Sequence, residues 1–274
     1  MQQKSIKDLK IGICGVGMVG GAIKDYFEKK GIKSFLYDKG KDLGSIEDIN
    51  QADVIFICVP TPFNDGFDLS YVREACDYIK GNKILVIKST VWPGTTDKLQ
   101  EEYPHHKFLF NPEFLTEITA EQDMNYPDRQ IVGYTDKSFT VAGDIMQILP
   151  LAPFESIMPA AEAEMVKYFG NTWFSIKVIF ANQMYDLCKK LNLNYDRIVE
   201  SAGADKRIGR SHLAVFHKGY RGYGGKCLVK DIRALIQFAD ENEVDLQLHK
   251  KAEEINNQLM KQQDIEDPEK FSQR

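Results

Sequence analysis

Short, almost continuously apolar runs alternate with amphipathic stretches up to about residue 155. The runs Lys10–Cys14, Ser34–Asp38, Val54–Pro60, Lys83–Thr90, Lys107–Phe110 and Gln130–Tyr134 are rich in Ile, Val, Phe and Leu. That pattern predicts strands covered on both faces, because a strand with one wet face alternates apolar and polar residues. Between them, Gly20–Lys30, Leu69–Lys80, Thr95–Tyr103 and Ser138–Leu149 read as helices. Gly31 stands where the left-handed residue closing the first helix belongs. Strand–helix alternation of this kind predicts an α/β fold whose N-terminal domain, residues 1–157, is a doubly wound parallel sheet.

The pattern changes after Pro159. Ala160–Leu191 is apolar-periodic with no Pro and one Gly, which predicts one long helix. Tyr195–Gly203 reads as a short helix, and Asp205–Lys226 as irregular chain carrying Gly209, Gly219, Gly222, Gly224 and Gly225. From Asp231 to about Gln263 the sequence is helical again, and Asp264–Arg274 is a charged, frayed tail. Residues 158–274 therefore form a mainly helical second domain. It is too small to bury every face of two long helices bearing Trp173, Phe174, Ile176, Ile179, Phe180 and Met184, which predicts a homodimer packed through those helices.

Composition narrows the function. With 35 Lys and Arg against 40 Asp and Glu, the net charge of −5 argues against a nucleic-acid partner, which calls for a basic surplus. The longest uncharged apolar run, around Val54–Pro62, is far short of the ~20 residues of a membrane helix, and no signal peptide is visible. Cys14, Cys58, Cys76, Cys188 and Cys227 are scattered without a CxxC pair, as expected of reduced thiols in the cytoplasm. The five histidines lack ligand spacing, so no metal site is expected.

The segment Ile11–Gly20 runs strand, GxGxxG turn, helix start. Gly15 permits the tight turn, Gly17 lets the backbone approach a pyrophosphate, and Gly20 lets helix and strand pack closely. The helix N-terminus then offers free N–H groups, and Val16, Met18 and Val19 join the three glycines as expected cofactor-binding residues. Eighteen residues beyond Gly20, Asp38 ends the second apolar run, where an acid accepts hydrogen bonds from the ribose of NAD and repels the 2′-phosphate of NADP. Together these predict a Rossmann-type NAD-binding domain, with Lys39 and Lys41 as nearby cations.

Cys227 lies in a glycine-rich, charged stretch just before a predicted helix. A thiol at a helix N-terminus tends toward thiolate, and Asp231 follows one turn on. The other four cysteines fall inside apolar elements, as small buried hydrophobes do. Lys167 and Asn171, spaced i, i+4, project from one helix face and either donate to an oxyanion or form a solvated face. Glu113 and Glu117 are a second spaced pair, suited to acid–base work through water or to a surface role.

Taken together, these segments resemble the UDP-glucose/GDP-mannose dehydrogenase family from about residue 9 to about residue 260. The resemblance rests on GVGMVG (15–20), VPTP (59–62), KSTVWPGTT (88–96), Asn111–Ala120 with Pro127-Asp128-Arg129, Ala163–Lys167 with Asn171, Arg207-Ile208-Gly209 and GYGGKCLVKD (222–231). It implies a four-electron oxidation in which the C6 alcohol of a nucleotide sugar becomes a carboxylate and two NAD⁺ are reduced. Cys227 would add to the aldehyde as a thiohemiacetal and pass through a thioester. Lys167 and Asn171 would stabilise oxyanions, and Thr90, Glu113 and Asp231 would hold and activate water. Thr61, Ser89 and Thr90 would line the cofactor cleft, with Glu117 and Lys230 beside the nicotinamide or the substrate. Glu113, Phe114, Leu115, Tyr223 and Gly224 would contact substrate, and Arg207 would reach it across a dimer interface.

Departures from the family pattern are Met18 for Tyr, Trp92 for Pro, and Thr116 and Ile118 on either side of Glu117. In Leu213–Arg221, the residues Phe216, His217, Lys218 and Arg221 either touch a diphosphate or form a solvated loop. Nothing after Asp231 resembles a second βαβ array, so the chain reads as a short form without the family's C-terminal nucleotide-binding domain. UDP-glucose is the expected substrate, with GDP-mannose and UDP-N-acetylhexosamines as alternatives. A 3-hydroxyacid or 6-phosphogluconate-type dehydrogenase would share the Lys-x-x-x-Asn feature but needs no Cys227. A non-catalytic nucleotide-binding protein is the remaining alternative, disfavoured by retention of the whole polar set.

Overall fold

The apolar runs become strands because neighbours on both faces cover them. β1 (Ile11–Cys14) and β4 (Val54–Ile57) bury every residue, while β5 (Ile84–Ile87) and β6 (Lys107–Phe110) bury all but the first. The computed structural model describes residues 9–63, 66–116, 118–217 and 219–269. With β2 (Phe35–Asp38), β3 (Leu43–Gly44), β7 (Arg129–Tyr134) and β8 (Phe154–Pro159), they form one eight-stranded sheet in the order β3-β2-β1-β4-β5-β6-β7-β8.

Alternate side chains feed two separate cores, as the pleat requires. Ile11, Ile13, Val54, Phe56, Val86 and Leu109 pack with Ile23 and Phe27 of α1 (Met18–Lys29) and Ile145 of α6 (Phe139–Ile148). Ile55, Ile57, Leu85, Ile87, Phe108 and Phe110 pack with Val72 and Cys76 of α3 (Ser70–Tyr78) and Leu99 of α4 (Thr95–Glu102). From β1 the chain winds outward to β2 on one side and returns to β4 on the other. The carboxyl ends of β1 and β4 therefore flank the switch point where open α/β sheets bind ligands. Gly31 closes α1 with φ +76°, as its position predicts.

Two features depart from the expected all-parallel sheet. β7 runs antiparallel to β6, and β3 antiparallel to β2. The chain between β6 and β7 holds irregular residues 111–116 and the short α5 (Ala120–Asn125), which packs on α1 instead of crossing the sheet. β8 carries no continuous apolar run because it is an edge strand with Phe154 and Ile157 exposed. α2 (Ile46–Ile49), a single turn capped by Ser45, is likewise too short to show as a period.

The long predicted helix is α7 (Ala160–Lys190). The chain divides into two compact units within it, the first ending at Lys167 and the second starting at Tyr168. Unit 2 contains the rest of α7, α8 (Tyr195–Ala202), a ribbon of β9 (Phe216–His217) and β10 (Tyr220–Arg221), α9 (Leu228–Glu241) and α10 (Gln247–Lys261). Val178, Ile179, Tyr223, Val229, Ile232, Ala252 and Leu259 form its core. The single helical stretch expected from Asp231 to Gln263 is two helices. It breaks where Glu243 takes φ +59° and Val244 N–H donates back to Ala239 O at 2.8 Å. No helix among the described residues is long and apolar enough to cross a membrane.

His106 is fully buried beside the start of β6. Its Nδ1 accepts from Lys83 N–H at 3.2 Å, and its Nε2 lies 3.3 Å from Ile79 O, so Nε2 carries the proton. Burial, reinforced by neighbouring His105, pushes the imidazole down to about 4. The unfolded chain, near 6.5, takes up this proton first, so the contribution to stability is complete above pH 6.5 and lost as pH falls toward 4. The urea midpoint should drop less between pH 7 and pH 4.5 in His106→Gln than in the unsubstituted protein; equal drops would contradict this account.

Candidate functional site

The glycines after β1 divide the work as their geometry dictates. Gly15 has φ +85°, and a Cβ there would lie 2.7 Å from Cys58 O. A Cβ on Gly20 would lie 2.0 Å from Gly15 O, so turn and helix meet backbone to backbone. Gly17 has nothing within 4 Å of its Cβ position and caps α1 without any side-chain hydrogen bond. Gly17 and Met18 are exposed at the start of α1, and a helix start carries the partial positive charge that fits a pyrophosphate. Met18 is exposed at this turn, while Val19 packs against the core.

Asp38, at the end of β2, reaches the same turn. Its Oδ2 accepts from Val16 N–H at 2.7 Å and its Oδ1 from Lys41 N–H at 3.1 Å. Lys41 Nζ donates to Val16 O at 2.6 Å, whereas Lys39 pairs with Glu74. Across the switch point, Ser89 Oγ donates to Val59 O at 2.6 Å and Thr61 Oγ1 to Thr90 O at 2.8 Å. Two of the expected cleft residues therefore stitch the segments that follow β4 and β5.

The start of α7 is held by buried charge. Glu164 accepts from Gly94 N–H (2.6 Å), Thr96 N–H (2.8 Å) and Thr96 Oγ1 (2.6 Å) at the head of α4. Burial lifts this carboxyl to about 7 against the pull of those donors. One turn later, Lys167 Nζ donates to Glu113 Oε1 at 2.7 Å and to Glu113 O at 2.8 Å. Burial pushes the Glu113 carboxyl up, but the charge and hydrogen bond of Lys167, the N–H of Leu115 and the charge of Lys88 bring it below its ordinary value. Phe114 lies under the Arg129 guanidinium at 3.9 Å, and Leu115 packs on the sheet core. Glu117 lies outside the described residues.

Unit 2 holds the thiol. Cys227 is exposed and occupies the N-cap of α9, outside any disulfide. Asp231, one turn on, is 1% exposed. Its Oδ2 accepts from Asn171 Nδ2 at 2.5 Å, and its Oδ1 accepts from Lys230 Nζ. Asn171 and Lys230 are thereby tied to the acid that follows the thiol, a pairing that spacing along one helix could not reveal. Burial pushes the thiols of Cys14 and Cys58 up to about 12 and raises that of Cys76 as well.

The other expected residues have partners of their own. Tyr223 is buried in the unit 2 core, and both its backbone N–H and C=O pair with Asn256, at 2.8 and 2.9 Å. Gly224 is packed so closely that a Cβ would meet Met260 Cε at 3.0 Å. Arg207 is exposed and paired with Asp205 at 2.6 Å. Arg221 donates to Asn182 and Asp186 and stacks on Tyr185. Phe216 and His217 are exposed on the ribbon, and Lys218 lies outside the described residues. Among the described residues no cluster of His, Cys, Asp and Glu could hold a metal ion.

An open, mostly parallel sheet with a glycine-rich turn and an acid at the end of its second strand defines a dinucleotide-binding protein. The family models for the NAD-binding and central domains of the UDP-glucose/GDP-mannose dehydrogenase family match residues 41–148 and 161–258. The chain belongs to that family. UDP-glucose 6-dehydrogenase of Rickettsia conorii is 34% identical over 223 residues, 77% of this chain and 50% of that protein. UDP-glucose 6-dehydrogenase YwqF of Bacillus subtilis is 32% identical over 235 residues, 81% of this chain and 50% of that protein. The chain thus spans about half the length of the curated relatives it matches. A UDP-glucose dehydrogenase structure from Pyrobaculum islandicum superposes with a TM-score of 0.82 at 28% identity, covering 94% of this chain and 70% of that one.

The two later glycines of the turn separate folding from binding. Gly20→Ala, whose Cβ meets backbone, should lower thermal stability and lose NAD binding. Gly17→Ala, whose Cβ points into open space, should keep the melting temperature within a few degrees and weaken NAD at least about tenfold. Calorimetric titration with NAD and a thermal melt of each variant check both halves.

Proposed function

We propose that the chain is an NAD-dependent nucleotide-sugar 6-dehydrogenase that oxidises UDP-glucose to UDP-glucuronate. The observation that carries this reading is Cys227, the exposed thiol at the N-cap of α9, followed one turn on by the buried Asp231 with its Asn171 and Lys230 partners. The names and identities of the relatives support UDP-glucose as the sugar nucleotide.

NAD would rest on Gly15–Gly20, with Asp38 at its ribose and Thr61, Ser89 and Thr90 along the cleft. When bound, it accepts the two hydrides that a four-electron oxidation releases, one for each NAD. The chain supplies the rest. Lys167 donates to the oxygen at C6 while negative charge develops there, and Asn171 does the same. The Cys227 thiolate forms a C–S bond to the aldehyde carbon, and covalent capture keeps a reactive intermediate from escaping. The adduct is a thiohemiacetal, and loss of the second hydride would make it a thioester; a water that Glu113, Thr90 and Asp231 would hold then cleaves it, its oxygen bonding to the carbon, its proton passing to a carboxylate and the sulfur leaving as thiolate. Phe114, Leu115, Glu117 and Lys230 would border the substrate, Tyr223 and Gly224 would brace the chain before Cys227 from the unit 2 core, and Arg207 would reach a neighbouring copy's ligand.

The homodimer forms through α7. Phe169, Trp173, Phe180, Leu187 and Leu191 follow one stripe, at spacings of 4, 7, 7 and 4, and all are at least half exposed, whereas Ile179 is buried in the core. Single exposed apolar residues are ordinary, but a contiguous stripe marks an interface. The cytoplasm, which keeps thiols reduced, suits the nucleophile.

Incubation with NAD and a panel of nucleotide sugars should yield two NADH per UDP-glucose consumed. Cys227→Ala should abolish acid formation yet leave NAD affinity unchanged, and undiminished UDP-glucuronate from that variant would sink the thioester route. Light scattering at micromolar concentration should give a dimer that Phe180→Glu converts to monomer; a monomer before substitution would refute the interface.

A further inference from the structure

Lys88, the first residue after β5, is buried in unit 1 at 5% exposure. Its Nζ donates to Asn111 Oδ1 at 2.6 Å, an amide oxygen and not a carboxylate. The Asn111 amide donates onward to Gln130 Oε1 at 2.8 Å and Ile131 O at 2.6 Å, and its backbone N–H donates to Ile87 O at 2.8 Å. Asn111 opens the irregular segment 111–116, which carries Glu113. The titratable groups facing Lys88 are the thiol of Cys58 beyond β4, Glu113 in that segment and Lys167 on α7.

A buried ammonium is expensive, and an apolar residue of similar length would pack more cheaply. A residue kept in spite of that cost calls for a use. The structure supplies one, because Lys88 holds the residue two positions before Glu113 and its charge acts on the Glu113 carboxylate beside that of Lys167.

We propose that Lys88 is a positioning residue for Glu113: through Asn111 it fixes segment 111–116, and its charge joins that of Lys167 in stabilising the carboxylate that holds the hydrolytic water. This rests on the dehydrogenase reading for its purpose, and on unit 1 alone for its geometry. Burial, opposed by Cys58 and Glu113 and reinforced by Lys167, pushes the ammonium down to about 8, so the charge is largely present at neutral pH and leaves just above it.

The direct test is a titration of the ligand-free protein carrying ¹³C in its Glu carboxyls and Lys Cε, with Glu113 assigned by Glu113→Gln. The Glu113 signal should move when Lys88 loses its proton near pH 8. Lys88→Met should raise the Glu113 midpoint by about one unit, and Lys88→Arg should restore most of that shift. With UDP-glucose, Lys88→Met should lower kcat about tenfold and move its acid limb upward, with KM for NAD changed less than about twofold. A Glu113 midpoint unchanged in folded Lys88→Met overturns the proposal. If that variant does not fold, a Glu113 signal indifferent to Lys88 deprotonation in the unsubstituted protein overturns it equally. Lack of NADH from every nucleotide sugar, with the Glu113 response intact, would refute the dehydrogenase reading and leave the Lys88–Glu113 coupling standing.

Discussion

The first two turns of α7 are held by buried charge, and the arrangement of unit 1 depends on it. Glu164 satisfies donors at the head of α4, which no residue within that helix caps. Lys167 satisfies both the carboxylate and the carbonyl of Glu113. A buried carboxylate or ammonium is tolerable only with such partners, so helix, loop and α4 constrain one another. Leaving one member unpaired exposes its partner to the full cost of desolvation, which is why these contacts specify position more sharply than apolar packing does.

The sheet serves that arrangement by bringing loops together at its carboxyl edge. β1 and β4 are four-residue strands with no exposed residue, and their ends cannot shift without disturbing two cores. The turn at Gly15 presses on the segment after β4, and Ser89 and Thr61 tie that segment to the one after β5. A backbone scaffold built this way presents N–H groups to a dinucleotide without rearranging, which lowers the entropic cost of binding.

Much of this was legible in the residues. The strand runs, the long helix, the glycine spacing and Asp38 follow from periods and distances along the chain, and all are local signals. What escaped was non-local. The partners of Glu164 lie about 70 residues away, and the pair Asn171–Asp231 spans 60. Hydrophobic periodicity says nothing about which buried polar groups meet. β8 escaped for the opposite reason, since an exposed edge strand carries neither a continuous apolar run nor a clean alternation. Tyr223 shows a motif residue whose side chain serves the core, a role that position in a motif does not distinguish from ligand contact.

The burial of the other thiols has a kinetic meaning. Cys14, Cys76 and Cys188 are buried, and the Cys58 sulfur is pushed as far from ionisation as that of Cys14. An electrophile in solution therefore meets Cys227 at the rate of its own chemistry, and the packed thiols only when the surrounding elements open. Three of those four lie in unit 1 and one in unit 2, so the slow phases of alkylation form two clocks, each timing the local opening of one half of the chain.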